Sequence, residues 1–116
     1  MSVTANYAGN LERIFSKALT DTTKVIVGTV IPDNSMTAAG WWACNDTASP
    51  IIVQLYYFSL LDSAEYLIWT KSVPANDTIG SADTPIRLRQ GDEIRVKGAN
   101  GLTMNVTVII NLSANR

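Results

Sequence analysis

Histidine is absent from this chain of 116 residues. That absence removes the commonest general base, the commonest metal ligand and both the Ser/His and Cys/His nucleophile pairs. Cysteine occurs once, as Cys44, so no intrachain disulfide can form, and its apolar surroundings predict a small buried side chain. No apolar run approaches the roughly 20 residues of a membrane-spanning helix. The opening MSVTANYAGNLERIF lacks a basic segment followed by an apolar one, so neither a secretory signal nor a membrane partner is expected. Charge of one sign is not in excess: 9 basic against 10 acidic residues leave a net charge of -1. With no field to attract a phosphate backbone, nucleic acid is not an expected partner. The seven glycines are dispersed, mostly at turns, and form no phosphate-cradling loop.

Carboxylates are scattered as well. Asp92 and Glu93 are adjacent, and neighbours on a strand point to opposite faces, so they do not make an acid–base pair. Asp77 and Asp83 flank a loop that lacks the acidic density of a calcium site. The expectation is a protein with no catalytic residue, no cofactor and no metal. Four Asn-x-Ser/Thr sequons begin at Asn45, Asn76, Asn105 and Asn111, and without a secretory signal they reflect composition.

What the sequence does have is alternation. From Thr84 to Leu112, Ile86 and Leu88 alternate with Arg87 and Arg89, and Ile94 and Val96 with Arg95 and Lys97. Leu102, Met104, Val106, Val108, Ile110 and Leu112 then share one face of a long strand, opposite Thr103, Asn105, Thr107 and Asn111. This period of two predicts antiparallel strands with one face buried and one wet. Gly91-Asp92 and Asn100-Gly101 separate the runs, and Asn-Gly is a strong signal for a two-residue hairpin with φ > 0 at both central positions.

Upstream, strands are expected over 22–31, 38–45, 51–61 and 65–73, with turns at Pro32–Ser35, Asn45–Pro50, Asp62–Ala64 and Pro74–Thr78. Ile51–Leu61 is apolar on both faces, which predicts cover on both sides. Leu11–Leu19 matches helical spacing, with an extended strand or arm as the rival. Turn signals about every ten residues mark an all-β protein: an antiparallel β-sandwich, jelly-roll-like, of seven to eight strands. Residues 1–20 are expected to form an extended N-terminal arm and residues 21–116 the sandwich domain.

Three blocks follow one another in a distinctive order: Cys44-Asn45 before a polar loop and an apolar strand, Pro74-Ala75-Asn76-Asp77-Thr78, and Leu88-Arg89-Gln90-Gly91-Asp92-Glu93-Ile94-Arg95-Val96. In this order the chain resembles small structural proteins of tailed-bacteriophage virions. Gly40-Trp41-Trp42 departs from it, standing where an aliphatic strand is usual. The resemblance implies a non-enzymatic virion component that decorates the capsid or sits in the neck or tail. It also implies partners: copies of itself, a trimer among the expected states, and the major capsid or other virion proteins.

Three groups are candidate contact residues. Tyr7, Leu11, Ile14 and Phe15 place apolar side chains in the arm, where a disordered tail is poor in them, so the arm is expected to dock on a neighbouring subunit. Trp41 and Trp42 are adjacent, so one of them points outward as an interface anchor, with Tyr56 a further candidate. Arg87, Arg89, Arg95 and Lys97 are expected to form one basic patch facing an acidic surface. A carbohydrate-binding sandwich at a receptor-binding tip uses the same aromatics beside Asn and Asp, and is the alternative from another class.

Overall fold

The computed structural model describes residues 14–30, 35–81 and 85–111. Nine strands run through them: β1 (Phe15–Ala18), β2 (Val25–Thr29), β3 (Ser35–Asn45), β4 (Ile51–Ser59), β5 (Ala64–Val73), β6 (Asp77–Ser81), β7 (Ile86–Leu88), β8 (Glu93–Lys97) and β9 (Leu102–Asn111). One sheet, here sheet A, has the order β1-β9-β3-β6, with β7 also paired to β3. The other, sheet B, has the order β2-β8-β4-β5. Taking β6 and β7 as one interrupted strand, these are the orders of a jelly roll, the double Greek key that closes two four-stranded sheets over each other. The expected all-β antiparallel sandwich is present, with nine described strands rather than seven or eight.

Alternation builds the core. Val53 and Leu55 of β4, Ile94 and Val96 of β8, and Met104, Val106 and Val108 of β9 are all fully buried. Each removes a side chain from water, at about 1.5–3 kcal/mol apiece before conformational entropy is subtracted. β3 does the same with an interruption. Its register against β9 slips between Ala38 and Gly40, a bulge. Met36 and Ala38 point inward before the bulge, Trp41 and Ala43 after it. One inserted residue therefore inverts the alternation.

Several expectations change. β7, β8 and β9 are not successive hairpins: β7 and β9 lie in sheet A and β8 in sheet B, so both turns cross between sheets. At Asn100-Gly101 the Leu102 N–H donates to Ala99 O at 3.2 Å. Gly101 alone has positive φ there, at 96°. That is a type II arrangement, which redirects the chain without laying its flanking strands side by side. Among the described residues the one hairpin between consecutive strands is β4–β5. β4 is covered on one side, with Ile52 66% exposed on the other. Cys44 is half-buried and alternates with inward Ala43 and Asn45, so it faces outward rather than into the core.

The expected arm is also partly sandwich. β1 pairs with β9 from Phe15↔Val106 to Ala18↔Thr103. Leu19 is buried in the core, and its N–H donates to Leu102 O at 2.8 Å. A boundary at residue 20 thus cuts through the molecule's own contacts. Tyr7 and Leu11 lie outside the described residues.

Candidate functional site

Two buried polar side chains tie the ends of the sandwich. At one end Asn45 Nδ2 donates to Ser49 O, Val73 O and Pro74 O at 2.8, 3.0 and 3.2 Å. Its Oδ1 accepts from Thr47 N and Thr47 Oγ1 at 2.9 and 2.7 Å. The β3–β4 loop is thereby locked to the turn after β5. The amide of this sequon is spent inside the protein and does not face solvent. At the other end Asp92 accepts from Tyr57 Oη, Leu60 N and Arg89 N at 2.9, 3.0 and 2.9 Å. A buried carboxylate with three donors joins the β7–β8 turn to the tip of the β4–β5 hairpin. Burial raises the Tyr57 pKa above its usual value, and the bond to Asp92 adds to this.

Of the apolar side chains left exposed on sheet B and its turn, Leu60 and Leu61 sit at that hairpin tip, Ile26, Ile52 and Leu67 on the outer face, and Tyr66 against the ring of inward-facing Tyr57. Ile26, Ile52, Leu60, Leu61, Tyr66 and Leu67 belong to sheet B or its turn and are 46–77% exposed. Between them lies a charged and aromatic platform. Lys24 pairs with Glu65 and sits 3.9 Å from the centre of the Tyr56 ring. Arg95 Nη1 donates to Glu65 Oε2 at 2.9 Å, and Arg95 Nη2 lies 2.7 Å from Glu93 Oε1. Its guanidinium carbon stands 4.1 Å from the centre of the Phe58 ring. The hydrogen bond from Lys24, supported by Arg95, holds the Glu65 carboxyl below the usual carboxylate range. The bonds to Glu65 and Glu93 raise the Arg95 pKa. Lys24 and Arg95, set over the rings and held by two glutamates, give the face a fixed relief rather than loose chains.

Other expected contact residues scatter. Arg87 is opposite Thr37 on sheet A, whereas Arg95 and Lys97 are on sheet B, so the basic row does not form one patch. The cause is the turn at Gly91-Asp92, which carries the chain across the core between Arg89 and Arg95. Arg89 and Arg87 are exposed, while Arg95 is neutralised by its two glutamates. Trp41 is 4% exposed and meets the Trp69 ring edge-on, centroids 6.2 Å apart, so it is a core residue and not an interface anchor. Among the described residues its indole N–H has no hydrogen-bond partner. Trp42 points outward. Phe15 is half-buried against the core, leaving Ile14 as the exposed apolar residue of the described arm. Tyr56 is on the sheet B platform.

Sequence reasoning missed Glu65, Lys24 and the apolar tip. The signal for the tip was Leu60-Leu61 beside Asp62-Ser63: two leucines inside a turn break the rule that turns are polar. Nothing local marks Glu65, whose cations come from sequence positions 24 and 95. Comparison with models of protein families, with curated proteins and with solved structures gives no match.

Proposed function

We propose that this chain is a non-enzymatic structural protein of a bacteriophage particle, one that decorates and stabilises the capsid through contacts between its own copies and with the shell. The observation that carries the reading is the apolar surface of sheet B. Among the described residues, six of the seven exposed large hydrophobic side chains belong to that sheet or its hairpin turn. Apolar side chains gathered on one side of a small sandwich mark a contact surface. The resemblance of the Cys44-Asn45, Pro74–Thr78 and Leu88–Val96 blocks to virion proteins supplies the setting. The virion is then its location, and the jelly-roll frame suits it because the sheets are closed and their outer faces are free to vary.

The test is mass in solution by sedimentation velocity, for the wild type and for an Ile52→Asp, Leu67→Asp double variant. The wild type is expected to be an oligomer and the variant a folded monomer. A small closed oligomer such as a trimer fits decoration, and a larger ring fits a neck or tail position. A wild type that stays monomeric at every concentration, or a variant with unchanged mass, overturns assembly through sheet B.

A further inference from the structure

The outer face of sheet A is unlike that of sheet B. Ser16, Thr103, Asn105 and Thr107 lie on it, with Trp42 as its one aromatic side chain among the described residues. Trp42 is half-buried and stands opposite Asn105 on one side and Gly80 on the other. An open cleft of about 450 Å³ surrounds it, lined by Ala39, Gly40, Trp41, Trp42, Gly80, Ser81 and Thr107. That volume falls within the range of small-molecule sites, about 300–1,000 Å³.

The backbone makes this cleft. At Ala39 the bulge breaks the register with β9. At the same place β3 changes partner on its other edge, from β7 up to Ala38 to β6 from Trp41 onward. Gly40 and Gly80 contribute no side chain to either flank of Trp42. A Cβ at Gly80 would stand 2.9 Å from the Trp42 Cβ and 2.7 Å from Trp41 O, so only glycine lets β6 lie this close to β3 beside Trp42.

We propose that this cleft binds the ring of a neutral sugar. A pyranose carries a patch of C–H groups on one face and hydroxyls around its rim, without charge. The cleft offers the complement: the Trp42 indole for the C–H groups, with the Thr107 hydroxyl on its rim and the Asn105 amide on the strand beside Trp42. Asn105 Oδ1 already accepts from Ser16 Oγ at 2.8 Å. That bond orients the amide and leaves its NH2 group as the donor. Among the described residues no Lys, Arg, Asp or Glu lines the cleft, so none of them offers an ionic ligand a counter-charge. The site is on the sheet opposite the assembly face, so a particle component could use both at once.

The experiment follows the indole N–H signals of the whole protein by NMR. The probes are methyl glycosides of neutral hexoses, deoxyhexoses and N-acetylhexosamines. At least one glycoside is expected to shift the Trp42 signal saturably in the millimolar range while Trp69, against the core, stays in place. Trp42→Ala should remove the binding, and Thr107→Val, which keeps the side-chain shape and loses the hydroxyl, should weaken it about tenfold with the core methyl signals unchanged. A panel in which no glycoside moves Trp42 overturns the proposal. So does equal binding by phenol, which marks a plain apolar groove. Neither outcome touches the mass measurement that tests assembly.

Discussion

Sheet A turns Ser16, Thr103, Asn105 and Thr107 to solvent, with Trp42 among them. Sheet B turns Ile26, Ile52, Tyr56, Phe58 and Leu67 outward, under Lys24 and Arg95. The inner faces do not differ in kind: β4 and β8 bury Val53, Leu55, Ile94 and Val96 just as β9 buries Met104, Val106 and Val108. The inner faces answer to one requirement, removal of apolar area from water, and so converge. The outer faces are free of it and carry what is particular to this protein.

The contrast breaks most completely where the two sheets are tied together. Asp92→Ala leaves the Leu60 and Arg89 amides and the Tyr57 hydroxyl without their acceptor, and should cost about 3–4 kcal/mol, read as the urea midpoint at constant slope. Asn45→Ala at the other end should cost about 2–3 kcal/mol, because the Asn45 amide is neutral where Asp92 is a carboxylate, and its loop lies nearer solvent. Losses under about 1 kcal/mol at both sites would mean that the sheets hold together without these ties.

Charges added to the two outer faces should separate them next. Ile52→Asp with Leu67→Asp is expected to lower the mass in solution while moving stability by no more than about 1 kcal/mol. Thr103→Asp with Thr107→Asp on sheet A should leave the mass as it was. Equal effects on mass would erase the distinction between the faces.

Acid should sharpen the contrast by a smaller amount. The Glu65 pKa is lower in the folded protein than its ordinary value of 4.5. Its contribution is therefore present above pH 4.5 and is lost as pH falls through the folded value. Glu65→Gln should remove that part of the acid dependence, at most about 1 kcal/mol because the pairs are partly open to water. An unchanged stability profile below pH 4.5 would show that the Lys24–Glu65–Arg95 network is decorative. Smallest of all, Arg87→Ala on sheet A should stay within about 0.5 kcal/mol of wild type, where Arg95→Ala on sheet B should exceed it.

Much of the frame is legible in the order of residues. Alternation in Leu102–Val108 and in Ile94–Val96 announces strands and their inward faces, because a pleat sends successive side chains to opposite sides. Turn residues at Pro74–Thr78 and Asp62–Ser63 announce where strands stop. Which strands become neighbours is another matter. Asn100-Gly101 has the same letters in a hairpin and in an arch between sheets, and only closure of the core chose the arch. The bulge at Ala39 likewise decided that Trp41 went in and Trp42 out. Glu65 met Lys24 and Arg95 because β2, β8, β4 and β5 lie side by side. Strand identity and facing are local, set by sterics and hydropathy within a few residues. Pairing, register shifts and the sites made from distant residues are global, set by how two sheets share one dry interior, and they belong to the tertiary structure alone.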